Sequence, residues 1–263
     1  MIPKYLYQYT QLDSLFKILE NKTIRFTRLD LLNDPAEADI VFNNERLNST
    51  SAKQSIYTSC FSDESNENVA MWYMYSNMKG VRIKIQSNIF GDFSGLEETV
   101  GGYIPVIKID EIEFNENVKI KKIYGPAKVE YVNDYTEISK GSVDITKTIG
   151  VDGEEFDMLD INIRELGTNK LASWSYEKEW RYLLHPFVAI HENIELFKNV
   201  LPFSVFDGDK PKYIDIGIKS DILEIMTAPE MSSEDKSKLH DFLDNNHINI
   251  PVVESTIKTR FSA

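Results

Sequence analysis

The run Trp174-Ser-Tyr-Glu-Lys-Glu-Trp-Arg-Tyr-Leu-Leu184 alternates residue character with a period of two, and no other segment restricts the fold as strongly. Extended, it points Glu177, Glu179 and Arg181 to one face and Lys178, Trp180, Tyr182 and Leu184 to the other. A strand with one bulky apolar face needs neighbouring strands beside it and a core beneath it. The same period recurs at Tyr5 to Tyr9 and at Val81, Ile83 and Ile85.

Other segments carry helical or mixed patterns. Leu12, Leu15, Phe16 and Leu19 form one apolar stripe behind Thr10, which with Asp13 resembles a capping box, and Asn21 ends the stripe. Thr23 to Thr27 reads as a strand, Asn33-Asp34-Pro35 as a turn, and Ala36 to Leu47 as a helix. Ser55 to Phe61 reads as a strand, and Asn66 is placed to cap a helix through Ser76. Further strands are expected at Tyr103 to Ile109, Val118 to Ile123, Lys128 to Val132, Tyr213 to Ile218 and Ile248 to Val253. A helix is expected over Asp134 to Gly167 with a turn near Gly150 and Gly153, and another behind Ser232 or Ser233. The pattern predicts one α+β domain over residues 1–263, a central mixed or antiparallel sheet flanked by helices.

The charge balance, 29 basic against 42 acidic residues, gives −13, a field that repels phosphate backbones and anionic lipid surfaces. Lys119, Lys121, Lys122 and Lys128 form the densest basic run, read as a solvated strand edge. No membrane association is expected, and Lys4 and Gln8 interrupt any leader-like apolar stretch at the start, which points to the cytoplasm. The single cysteine, Cys60, allows no internal disulfide and reads as a buried structural thiol. His185, His191, His240 and His247 lack metal-ligand spacing, so no metal is implied; His185 before Pro186 reads as a loop histidine. Dinucleotide, P-loop and serine-hydrolase signatures are absent.

What remains is the Trp174 to Leu184 segment. Glu177 and Glu179, one residue apart on a strand face, stand roughly 6 to 7 Å from one another, close enough to flank one reacting sugar. Trp174 and Tyr176 precede them as rings able to stack on a planar ligand. The alternative is an amphipathic strand whose outer face is a solvated Glu and Arg ladder. The aromatic crowd of Met71, Trp72, Tyr73 and Tyr75 reads as core packing.

Tyr7-Gln8-Tyr9-Thr10, Leu19, Ile24-Arg25-Phe26-Thr27, Leu32-Asn33-Asp34-Pro35-Ala36-Glu37, Cys60-Phe61-Ser62, Met71-Trp72, Gly80 and Trp174 to Arg181 together resemble the bacterial family catalogued as domain of unknown function 2971. A second resemblance supplies a mechanism. The opening strand, helix and Thr-Ile-Arg-Phe strand are similar to ADP-ribosyltransferases of the DarT and RNA 2′-phosphotransferase kind. That resemblance implies an ADP-ribosyltransferase-like fold with NAD as substrate. It places Gln8 where a His holds NAD, with Tyr9 beside it, and matches Thr58, Ser59 and Ser62 to a Ser-rich strand and Glu177 with Glu179 to an acidic motif. Gln8 departs from the pattern, although an amide still donates to a ribose hydroxyl.

On this reading the protein cleaves the nicotinamide glycosidic bond of NAD and passes ADP-ribose to a macromolecular acceptor, protein or nucleic acid, or to water. Resemblance sets this in phage defence or in a toxin-like effector. Glu179 stabilises the ribose cation, Glu177 prepares the nucleophile, Trp174 or Tyr176 covers the nicotinamide, and Arg25 or Arg28 grips the pyrophosphate. Gln8, Ser59 or Ser62, and Glu179 are expected to line one cleft on adjacent strands. The rival is a non-catalytic nucleotide- or protein-binding module on the same fold, and a third reading is transfer chemistry on an RNA end.

Overall fold

Runs of β-branched and aromatic residues supply one twelve-stranded sheet. The computed structural model describes residues 1–42, 45–47, 50–99, 102–115, 118–149, 153–161, 165–185, 187–188 and 211–260. The chain opens with β1 (Tyr5–Thr10), α1 (Leu12–Asn21) and β2 (Thr23–Arg28). A small hairpin of β3 (Ile40–Phe42) and β4 (Glu45–Leu47), the single turn α2 (Thr50–Lys53), β5 (Tyr57–Ser62), α3 (Val69–Ser76) and β6 (Val81–Gln86) follow. Three long strands come next, β7 (Phe93–Thr99), β8 (Gly102–Asn115) and β9 (Val118–Lys128), then β10 (Glu130–Val132). A second hairpin, β11 (Val143–Ile149) with β12 (Glu155–Ile161), precedes β13 (Asn169–Leu171), β14 (Glu179–Leu184) and β15 (Phe187–Val188). The last elements are β16 (Tyr213–Gly217), β17 (Glu224–Thr227), α4 (Ser233–Asn245) and β18 (Val252–Glu254).

The sheet runs β18-β17-β6-β1-β5-β14-β9-β8-β7, antiparallel except for the β17–β18 pair, so it is mixed. One face packs Leu6, Ile83, Trp180 and Tyr182 against α1 and α4 through Leu15, Leu239 and Leu243. On the other face α3 lays Trp72 edge-on against Tyr9, ring centroids 4.8 Å apart. No described helix is long and apolar enough to cross a membrane.

One irregularity in this sheet makes the rest of the molecule possible. β14 pairs with β5 from Tyr57 to Ser62 and so occupies one whole edge of it. The opposite edge is shared. β1 pairs there through Tyr7 and Ser62, while β2 pairs through Thr27 with Thr58 and Arg28 with Tyr57. Because α1 intervenes in the chain, β1 and β2 diverge, and the edge of β5 over Ser59, Cys60 and Phe61 lies in the gap between them.

Several sequence expectations are corrected. The described residues of Ala36 to Leu47 are not helical: Ala38 is left-handed at φ 53°, and the β-branched and aromatic run that follows forms β3. Nor are the described residues of Asp134 to Gly167, where a 3-10 turn at Tyr135–Glu137 leads into β11, whose Val, Ile and Thr residues prefer extended backbone. Gly150, placed in a turn there, and His191 lie outside the described residues. Gln11 rather than Thr10 precedes α1, and Asn68 rather than Asn66 caps α3, its side-chain oxygen accepting from Ala70 N at 2.9 Å. The Lys-rich strand β9 is interior, between β14 and β8, with Lys121 paired to Glu111 and Lys122 to Glu97. His185 is buried at the end of β14, its ring 5.2 Å from that of Tyr124.

Trp180 is buried as the alternation requires, and its indole N–H donates to Asp63 Oδ2 at 2.9 Å. Trp180→Ala removes both the packing and that bond, and is expected to destabilise by about 3 to 5 kcal/mol in urea unfolding.

Candidate active site

The pleat of β14 sends Glu179 and Arg181 to the same side, as the alternation predicts, but that side is not solvated. Arg181 is fully buried, which excludes the exposed ladder reading. Glu177 does not belong to the strand. It ends a 3-10 helix over Ala172–Glu177, and Lys178 follows in the left-handed region at φ 45°. The reversal at Lys178 brings both carboxylates to one ammonium: Lys170 Nζ, carried on β13, lies 2.6 Å from Glu177 Oε2 and 3.2 Å from Glu179 Oε2.

Two further contacts close the cluster. Arg181 grips Glu179 with two parallel bonds, Nε to Oε1 at 2.7 Å and Nη2 to Oε2 at 2.9 Å, and its Nη1 donates to the Gly167 carbonyl. Glu37 spans both cations, Oε1 at 3.1 Å from Lys170 Nζ and Oε2 at 2.7 Å from Arg181 Nη1. Glu37 is delivered by the turn at Asn33-Asp34-Pro35, where Asp34 Oδ1 accepts from Ala36 N at 2.9 Å. Three carboxylates thus surround two cations, and none of the five residues is more than 4% exposed. Burying such charges costs several kcal/mol each unless pairing compensates, so the cluster holds only as a complete set.

Above it, in the gap along β5, lies a cavity of about 360 Å³ walled by Tyr7, Tyr9, Tyr75 and Tyr213, with Arg25 and Gln8. That is within the range of small-ligand sites. Both Glu177 and Glu179 reach its surface, as does Ser59. The pleat separates these residues, however. Tyr7, Ser62 and Glu179 stand in one cross-strand row and share a face, so Gln8 and Ser59, each out of phase with that row, fall on the other face with Leu6 and Phe61. They meet the cavity only because no strand fills the gap. Gln8 Nε2 donates there to the Cys60 carbonyl at 3.2 Å, and the buried Ser59 hydroxyl has no hydrogen-bond partner among the described residues.

Of the other sequence candidates, Arg25 lies at the rim, paired to Asp215 through bonds of 2.9 and 3.0 Å and stacked 4.9 Å from the Tyr213 ring. Arg28, Ser62, Trp174 and Tyr176 do not line the cavity. Arg28 is held by Asp30 at 2.6 Å, and Ser62 is buried and accepts from Glu64 N. Trp174 covers Lys170 instead, its ring 4.7 Å from the ammonium, and Tyr176 packs towards α3. Sequence reasoning missed Glu37, Lys170 and Tyr75 as site residues. Glu37 ends the Asn-Asp-Pro-Ala-Glu motif, which was a usable signal; Lys170 stood in no motif at all.

Electrostatics divides the two carboxylates. Burial works to raise both. At Glu179 the adjoining Arg181 and Lys170 overcome it and hold the carboxyl at about 2. At Glu177 burial is reinforced by the Glu179 charge, against weaker help from Lys170 and Tyr75, and the carboxyl is pushed up to about 7. Burial, then Glu179, likewise push the half-buried Cys60 thiol up, which disfavours its thiolate.

These shifts set opposite pH dependences. Glu179, below its ordinary 4.5, contributes stability that is present above that value and lost as pH falls through about 2. Glu177, above its ordinary 4.5, contributes stability that is present below that value and lost as pH rises through about 7. Urea unfolding should therefore show a decline on the order of 3 kcal/mol across the Glu177 window in the wild type and none in Glu177→Gln. Lys170→Met, which leaves three carboxylates facing one cation, is expected to destabilise by about 3 to 5 kcal/mol, read by thermal melting.

No curated protein and no solved structure matches the chain. Residues 71–182 match the family described as a protein of unknown function (DUF2971), a span that carries Tyr75, Lys170, Glu177, Glu179 and Arg181, while Glu37 and β5 lie ahead of it.

Proposed function

We propose that the cavity is an active site of ADP-ribosyltransferase type, breaking the nicotinamide glycosidic bond of NAD and passing ADP-ribose to a macromolecule or to water. The observation that carries this reading is Glu177, a carboxyl held at about 7 on the wall of an aromatic-lined cavity. A general base works best when its pKa lies near the working pH. In the reaction the C1′–N bond breaks and its electron pair discharges the pyridinium nitrogen of nicotinamide. The C1′–O bond forms to the acceptor oxygen, whose proton passes to Glu177. Positive charge that develops on the ribose is favoured by a cluster with three carboxylates against two cations. Tyr7, Tyr9 and Tyr213 give the cavity aromatic walls, and Arg25, half exposed at the rim beside Asp215, is assigned to the pyrophosphate.

This assignment keeps the division of roles expected from the sequence. Glu179, held ionised between Arg181 and Lys170, supports the field, while Glu177, the carboxyl that burial and the Glu179 charge push up, handles the proton.

The same observation about Glu179, with the Gln8 amide committed to the Cys60 carbonyl, favours a second reading, a pocket that binds a nucleotide or partner without turning it over. Nicotinamide release and calorimetric NAD binding decide between them. Wild type is expected to release nicotinamide, and Glu177→Gln to bind NAD with turnover lowered about 10²-fold to 10⁴-fold. Binding without release would select the binding module, and absence of binding would remove NAD from the account.

A further inference from the structure

The geometry points to Tyr75 as the relay through which Glu177 exchanges its proton with a molecule in the cavity, an inference that rests on Glu177 being the base proposed above. Both oxygens of Glu177 are occupied. The Tyr75 hydroxyl donates to Oε1, and Lys170 Nζ takes Oε2 at 2.6 Å. Each of these donors is a bonded path by which a proton can reach Glu177. Lys170 is poorly placed for this, since it is 3% exposed and its ammonium is engaged by three carboxylates. Tyr75 is only partly buried and lines the cavity wall.

Its position is well determined. It stands in the last turn of α3, which Asn68 caps at one end and Asn77, left-handed at φ 50°, terminates at the other. Trp72, one turn earlier on the helix, is locked between Tyr9 and the carboxylate of Glu67, to which its indole donates at 3.1 Å. The charged and titratable groups around Glu177 come from every neighbouring element: Tyr75 from α3, Lys170 from β13, Glu179 and Arg181 from β14, Tyr131 from β10, Tyr176 from the 3-10 helix that ends at Glu177, Glu37 from the turn behind Pro35, and Cys60 from β5. Among them Tyr75 alone is a neutral hydroxyl bonded to the carboxyl. Burial, then the Glu177 charge, push its own ionisation far up, so it passes a proton without resting as a phenolate.

The transfer balances without any further reactant. The acceptor hydroxyl gives its proton to Tyr75 Oη as the Tyr75 proton moves to Glu177 Oε1. Tyr75 ends neutral, Glu177 ends as the acid, and the acceptor's electron pair forms the C1′–O bond as the C1′–N pair leaves with nicotinamide.

Tyr75→Phe keeps the ring and removes the hydroxyl. The carboxyl stretch of Glu177, identified as the infrared band missing from Glu177→Gln, is followed from about pH 5 to about pH 9 in wild type and Tyr75→Phe. Loss of a donor to the carboxylate should move its midpoint upward in the variant. Nicotinamide release should fall about 10²-fold with calorimetric NAD binding retained, whereas a purely structural Tyr75 would lower binding and melting temperature together. Undiminished release by Tyr75→Phe overturns the relay and leaves the proposed reaction standing. No release by the wild type overturns the reaction instead. In that case the infrared measurement still decides the coupling, because an unmoved Glu177 midpoint overturns it and a raised one supports it.

Discussion

Arg181 has no contact with solvent, so its guanidinium must find every partner inside the protein. It does so with Glu179, Glu37 and the Gly167 carbonyl, groups contributed by β14, by the turn after Pro35 and by the approach to β13. Lys170 joins the same carboxylates from a separate strand. The requirement that two buried cations be fully paired thus draws four chain segments to one point, and irregular connections become as well positioned as the sheet itself. The two positive groups also set the difference between the carboxylates, because Glu179 lies against both and Glu177 against one.

The strands were the most readable part of this chain. Val81, Ile83 and Ile85 and the Trp180, Tyr182, Leu184 set announce a face by simple alternation, and all six side chains are buried. Ala36 to Leu47 and Asp134 to Gly167 misled because their hydrophobic spacing fits a helix about as well as a strand, and only the β-branched content at Ile40 and Val41 and at Val143 to Ile149 tips the balance. Alternation failed at one residue of the site for a local reason. Lys178 in the left-handed region breaks the period between Glu177 and Glu179, a conformation that a lysine does not advertise.

Lys170 and Tyr75 were illegible for a different reason. Each acts through partners far along the chain, Lys170 through Glu37 and Tyr75 through Glu177, and spacing in sequence carries no trace of such pairings. Gln8 and Ser59 show the converse case. They approach the cavity as expected, yet the register that joins Tyr7 to Ser62 and Ser62 to Glu179 turns their side chains to the opposite face.

The amide of Gln8 bears on that gap in another way. Where β1 and β2 part, a continuous sheet would set a main-chain N–H against the Cys60 carbonyl, and here a side chain supplies that rung. Residue 8 is therefore mortar as well as wall. A chain that opens a pocket by splitting its own sheet exposes hydrogen-bonding backbone at the split, and the side chain that seals it must reach across the plane of the strands rather than away from it. Between the main-chain pairs at Ser62 and Thr58 the Gln8 side chain adds a bond of its own, so one torsionally flexible residue both walls the pocket and helps to tie β1 to β5.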